Sequence, residues 1–274
     1  MNGLTGTKGA AGVWQRIISE MPEHTVYIEP FWGRGVIARR KRPARCTIGL
    51  DLDPAAVSNG ADIALMFRAD ALQWLSDYFR LDPPPPDSAA EAASPSTAAT
   101  FAGDFCTARS RDAVPAATFA GASWADHFCY LDPPYLGCHG HYKHELSEAD
   151  HRRLCRLFLR LPCPAALSGY RSELHAAELS GCRSIAIPSV NRAGRPVVEM
   201  LWLNFPPPRR YHDTRFCGTG RRERERIHRR ARNWAAGLAR MGPAERQAVF
   251  EYCAAVMADG AGPAELKGPQ KCPS

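Results

Sequence analysis

TVYIEPFWGRG, residues 25–35, is a short β-branched and aromatic run that stops at a pair of glycines. Val26, Tyr27 and Ile28 suit a pleated, buried strand, and Gly33 and Gly35 suit the tight turn after it. Three more apolar runs close on an acid: CTIGLDLD (46–53), IALMFRAD (63–70) and HFCYLD (127–132). Helical periods appear among them. GAAGVWQRIISE (9–20) carries Val13, Trp14, Ile17 and Ile18, and ALQWLSDYF (71–79) keeps the same spacing. SEADHRRLCRLFLRL (147–161) opens on a Ser147 and Asp150 cap and carries Leu154, Leu157, Phe158 and Leu161 as an apolar stripe. PAALSGY (164–170), SIAIP (184–188) and VVEMLWLNF (197–205) supply three further strands. Strands alternating with helices, with acids or glycines at the strand ends, predict a layered α/β sheet over residues 1–205.

Residues 82–123 interrupt the pattern. Of these 42 positions 28 are Ala, Pro, Ser or Thr, and AATFAG occurs twice, at 98–103 and 116–121. Such a composition builds no packed core and reads as a flexible insertion. Residues 206–274 read as an Arg-rich linker followed by helices. The net charge of +7 is concentrated there, because residues 206–240 hold eleven Arg against Asp213, Glu223 and Glu225. Arginine in that density, without lysine, points to bidentate phosphate contact and so to a nucleic acid. Arg221, Arg222, Arg226, Arg229 and Arg230 are the candidate contacts.

Ten cysteines are scattered with no C-x-x-C spacing, which predicts buried reduced thiols rather than a metal framework. No run approaches the ~20 apolar residues of a membrane span. The opening MNGLTGTKGAAGVWQR lacks a secretory layout, so a cytoplasmic protein is expected.

Open α/β sheets bind ligands at the carboxyl ends of their strands. Gly33 and Gly35 there let the backbone approach a ligand closely. Asp51 is placed to accept hydrogen bonds from a ribose diol, and Asp70 to reach a purine amino group. Each acid is also a good helix cap. The fourth strand end is Asp132-Pro133-Pro134-Tyr135. The prolines stop ladder pairing and stiffen the turn, which then offers a carboxylate, a carbonyl lacking its own N–H neighbour, and an aromatic face. That set suits a planar exocyclic amine.

With these motifs the chain resembles the D12 class of S-adenosylmethionine-dependent DNA N6-adenine methyltransferases, the Dam-like enzymes, in a phage-type version. The resemblance runs from about Gly6 to Phe205. It implies a Rossmann-like methyltransferase sheet, a bacterial or phage-encoded origin, and S-adenosylmethionine as cofactor. It makes Thr7 and Lys8 of TGTKG, Glu29, Phe31, Gly33 and Gly35 of EPFWGRG, Asp51, Asp70 and Asp132 the cofactor-site residues. Asp132, Pro133 and Tyr135 of LDPPY become the catalytic loop. Tyr142 and His144 become a lid over the target base. By composition Cys138, His139, His141 and His144 could bind zinc, but the lid reading applies and no metal is expected. The implied partner is DNA; because the interval that holds the recognition module in many such enzymes is here the Ala/Pro-rich insertion, reading is expected from the loop 136–146 and the basic helices 206–258, with relaxed or short-site specificity. Two alternatives share many of these features: an RNA base N-methyltransferase, and a catalytically silent nucleic-acid-binding protein.

Overall fold

The computed structural model describes residues 12–81, 123–138, 140, 142–191 and 194–259. Thr7, Lys8, His139, His141 and all but Ser123 of the Ala/Pro-rich insertion lie outside the described residues.

Two compact units divide at Gly220 and Arg221. The first is built on one sheet. Strands β1 (Val26–Glu29), β2 (Cys46–Asp51), β3 (Leu65–Arg68), β4 (His127–Leu131), β5 (Ala165–Tyr170), β6 (Arg183–Val190) and β7 (Pro196–Leu203) lie in the order β3-β2-β1-β4-β5-β7-β6. The first five pair parallel, and β7 runs antiparallel between β5 and β6. This is the Rossmann-like α/β sheet expected from the sequence.

The central strands are buried on both faces, which is why they read as continuous apolar runs rather than alternations. Val26 and Ile28 of β1, with Cys129 and Leu131 of β4, face α4 (Ala71–Tyr78) and α5 (Glu148–Arg160) through Leu72, Leu75, Leu154 and Phe158. Tyr27, Phe128 and Tyr130 point the other way, to α1 (Val13–Ile18) and α2 (Val36–Arg40) through Ile17, Ile18 and Ile37. Ser147 and Asp150 cap α5 as the sequence predicts, with the Asp150 amide 3.1 Å from Ser147 Oγ. Two short helices, α3 (Pro54–Gly60) and α6 (Glu173–Glu178), complete this unit.

Trp32, 2% exposed, is the wedge between β1 and β2. Its amide donates to the Leu50 carbonyl at 2.8 Å. A Cβ on Gly35 would lie 2.5 Å from the Trp32 ring, on Gly49 2.4 Å, and on Gly60 2.7 Å. The indole, with Met66 Sδ 2.5 Å from a Cβ on Gly49 and 2.4 Å from one on Gly60, occupies the space a side chain would need.

The boundary expected at 205/206 falls later, at 220/221, because residues 210–215 are woven into the first unit. The Glu23 amide donates to the Arg210 carbonyl and the His212 amide to the Met21 carbonyl, each at 3.0 Å. Buried Asp213 accepts from the Arg42 amide at 2.8 Å, and the His212 ring stacks on His24 with centroids 3.7 Å apart. The second unit holds α7 (Arg221–Arg240) and α8 (Pro243–Asp259). Pro243 occupies the first turn of α8, where its missing N–H removes no helical bond. Among the described residues no helix is long and apolar enough to cross a membrane.

Candidate active site

A cavity of about 950 Å³ opens at the carboxyl ends of β1 to β4. Small-molecule sites typically span roughly 300–1,000 Å³. Its wall includes Glu29, Phe31, Gly33, Asp51, Asp70, Asp132, Tyr135, Tyr142 and His144. The residues singled out at four strand ends and in the loop after Tyr135 therefore meet at one place. Gly35 and Pro133 are not on that wall. Gly35 precedes α2 with φ +59°, and a Cβ there would meet the Trp32 ring. Pro133 is buried, and the wall takes Pro134 instead.

On the β2 side the geometry suits a hydroxyl-bearing ligand. Asp51 Oδ2 accepts the Gly33 amide and Oδ1 the Asp53 amide, both at 2.8 Å. These bonds hold the carboxylate in one orientation, and each oxygen retains lone-pair capacity for a hydroxyl donor. Gly33 has φ +51° and nothing within 4 Å of a would-be Cβ, so a ligand has access to its backbone. Asp70 caps α4 through the Gln73 amide at 2.8 Å and also lines the cavity. Capping and a place on the cavity wall coexist in that one residue.

Glu29 ends β1 and is 2% exposed. Burial pushes its carboxyl up to about 8, against the Tyr27 hydrogen bond, and the Asp132 charge raises it further. Behind it, the Lys41 ammonium lies 4.2 Å from the Tyr27 ring centroid. Burial lowers Lys41 to about 7, against the attraction of Glu29 and Asp213. Burial thus favours the neutral form of both groups.

The β4 side is a buried polar network. Asp132 Oδ1 accepts from Ser168 Oγ at 2.7 Å and from the Tyr135 hydroxyl at 3.2 Å. The Tyr135 hydroxyl also lies 3.3 Å from Glu199 Oε2, and Ser189 Oγ donates to Glu199 Oε1 at 3.1 Å. Tyr130 and Ser168 hydroxyls lie 3.0 Å apart beneath. Burial, then the charges of Asp132 and Glu199, hold the Tyr135 phenol well above its ordinary range, so it is a donor at neutral pH. Its ring meets Tyr170 edge to face, with centroids 4.8 Å apart.

Ser168, Ser189 and Glu199 were not singled out from the sequence. Glu199 did leave a signal. It is the one acid inside VVEMLWLNF, and it shares strand parity with Leu201 and Leu203.

Beyond Tyr135 the loop carries Tyr142 and His144, both exposed, to the cavity rim. Lys143 between them reaches Asp53 across the opening, Nζ to Oδ1 3.8 Å. Among the described residues no group of three or more His, Cys, Asp or Glu is arranged to hold a metal ion.

In the second unit Arg221, Arg222, Arg226, Arg229 and Arg230 all lie exposed on α7. Arg221 pairs with Glu225 at 2.7 Å and Arg226 with Glu223 at 3.2 Å. Arg222, Arg226 and Arg229 fall at helical spacing on one side.

No family model and no curated protein matches the chain. Among solved structures it is similar to the 23S rRNA methyltransferase ErmE, with 12% identity over 72% of this chain and 70% of that one, at a TM-score of 0.36. It is similar to a dimethyladenosine transferase from Plasmodium falciparum, with 11% identity over 69% of this chain and 60% of that one, at a TM-score of 0.36. SMU.1697c from Streptococcus mutans, in its complex with SAH, shares 8% identity over 73% of this chain and 99% of that one, at a TM-score of 0.37.

Proposed function

We propose that this chain is an S-adenosylmethionine-dependent DNA (adenine-N6) methyltransferase of the D12, Dam-like class. The observation that carries the reading is a single cavity with Asp51 and Asp70 on its β2 and β3 side and Asp132 and Tyr135 on its β4 side. A nucleoside cofactor and an acceptor amine need those two sets of groups within reach of each other. The residues present fit the cofactor: an accessible Gly33 backbone, a doubly anchored Asp51 and a cavity of adequate volume. S-adenosylmethionine bound there supplies an electrophilic methyl group.

In this reading Asp51 accepts from the ribose hydroxyls, Gly33 allows close backbone approach, and Asp70 lies beside the cofactor's base. Asp132 accepts a hydrogen from the exocyclic amine of adenine. That amine is a poor nucleophile because its lone pair is delocalised into the ring. A carboxylate acceptor favours the pyramidal form and stabilises the positive charge that develops on nitrogen. Ser168 fixes Asp132 for this purpose, and the Tyr135 ring walls the acceptor side. The base must be rotated out of the duplex to reach this depth. Holding the amine against a fixed carboxylate supplies the orientation part of the rate. The part first given to the Pro133 carbonyl has no support from the cavity wall, so the reading rests on Asp132 and Tyr135. Arginines of α7 bind the phosphate backbone.

The test is expression in a host whose own methylation is deleted, followed by mapping of N6-methyladenine in DNA and RNA. Modified DNA that vanishes with Asp132→Ala supports the reading. Modified RNA with unmodified DNA replaces it with the RNA methyltransferase. Absence of both, together with failure to bind S-adenosylmethionine in titration, removes it in favour of a silent nucleic-acid-binding protein.

A further inference from the structure

The Tyr135 hydroxyl has one proton and faces two carboxylates, Asp132 at 3.2 Å and Glu199 at 3.3 Å. Both distances exceed the ~2.7–2.8 Å usual for a hydroxyl donor, which fits one hydrogen divided between two acceptors, and the Ser168 hydroxyl also hydrogen-bonds to the phenol. Glu199 is 1% exposed, on a strand whose neighbouring inward positions are Leu201 and Leu203. A carboxyl at such a position costs stability unless it is engaged. It is held firmly. Ser189 of β6 donates to its other oxygen, and its backbone pairs with Tyr170, whose ring abuts Tyr135.

We propose that Glu199 is a positioning residue: it takes over the Tyr135 hydroxyl when Asp132 takes up the substrate amine. The carboxylate of Asp132 is thereby released from one donor while the Tyr135 ring stays in place. Without Glu199 the phenol has only Asp132 of this pair to donate to, and it competes with the amine. Because Glu199 sits on a sheet strand rather than a loop, the exchange requires no backbone movement. This inference rests on the reading that Asp132 accepts the acceptor amine.

The experiment uses the full chain with Glu199→Gln and Glu199→Leu, each alone and combined with Tyr135→Phe. Gln keeps an acceptor for Tyr135 and a group for Ser189, whereas Leu removes both at similar volume. In single-turnover methyl transfer Glu199→Leu should slow the reaction roughly 10- to 100-fold, the range set by one charge-assisted hydrogen bond. S-adenosylmethionine affinity should not change, and Glu199→Gln should recover most of the rate. In the Tyr135→Phe background Glu199→Leu should have little further effect, since the inferred coupling runs through the phenol. Additive losses, or Gln as damaging as Leu, would overturn the inference. The same variants carrying [13Cζ]tyrosine separate it from the functional reading. If wild-type protein methylates neither DNA nor RNA, that reading fails on its own. The Tyr135 resonance then decides for Glu199: a shift in Glu199→Leu but not Glu199→Gln upholds the hydrogen bond, and an unmoved resonance ends the proposal.

Discussion

The Tyr27 hydroxyl donates to the Glu29 carboxyl at 2.9 Å, two positions apart on the same face of β1. The pair lies inside the sheet, and Glu29 also forms part of the cavity wall. Burial raises Glu29 from 4.5 to about 8, so the folded state holds a proton that the unfolded chain releases. Stability from this group is fully present below about 4.5 and is lost as the pH climbs toward 8. Lys41 acts with the opposite sign, but between about 7 and 10.5. From pH 5 to 7 the Glu29 effect therefore stands alone of the two, at up to about 1.4 kcal/mol per pH unit for one proton. Glu29→Gln keeps an acceptor for Tyr27 and removes the titration. Denaturant unfolding of this variant should give a shallower decline than wild type over that window, and an identical slope would show that Glu29 ionises normally.

Asp132→Ala should lower methyl transfer at least about 100-fold, the cost of losing one preorganised charge-stabilising group. S-adenosylmethionine titration should remain measurable. Ser168→Ala should lower transfer less, because it leaves the carboxylate and removes only its 2.7 Å anchor. Undiminished transfer by Asp132→Ala would take this residue out of the reaction.

Gly49→Ala and Gly33→Ala should fail for different reasons. At Gly49 the new methyl would lie 2.4 Å from the Trp32 ring and 2.5 Å from Met66 Sδ, overpacking that costs about 1–3 kcal/mol. At Gly33 there is open space but φ is +51°, a left-handed strain of about 1–2 kcal/mol. Thermal unfolding read alongside cofactor affinity separates them. Gly49→Ala should lower the melting temperature and repack Trp32, seen in its fluorescence, while Gly33→Ala leaves the indole signal unchanged.

Arg222→Ala, Arg226→Ala and Arg229→Ala combined should weaken binding of duplexes of any sequence by similar factors. The slope of log affinity against log salt should fall by about three if each contacts one phosphate. Truncation after Gly220 should go further, and unchanged DNA affinity in both proteins would assign binding elsewhere.

How much of this was legible in the sequence follows from burial and length. Strands β1, β2 and β4 were readable because the sheet covers both faces and leaves uninterrupted apolar runs. Helices α2, α3 and α6 span 5, 7 and 6 residues and, unlike the equally short α1 with Val13, Trp14, Ile17 and Ile18, bury too few large apolar side chains for a helical period to show. For α3 the signal was present in Asp53-Pro54, a cap followed by proline, yet both acids of LDLD had been read as a strand ending. The reversal of β7 was not legible, since strand direction is set by the connections and leaves no mark on the residues. Asp51, Asp70 and Asp132 were found because each closes an apolar run. Glu199 was passed over because it sits within one. Gly35 reads in the sequence as room for a ligand, and its crowding by Trp32 was not legible, because no local pattern announces that an indole from three residues earlier fills the space above it.

That indole ties together positions that lie far apart in the chain. Gly35, Gly49 and Gly60 belong to a turn, a strand and a helix end, yet all three meet Trp32. None of them is free to gain a side chain while the ring remains. A smaller residue at 32 would leave a void where the first two strands join, yet Gly35 would keep its φ of +59°, and Met66 Sδ would still lie 2.5 Å from a Cβ on Gly49 and 2.4 Å from one on Gly60. In a collection of variants a change at 32 should therefore not by itself admit side chains at the three glycines, because each carries a second constraint.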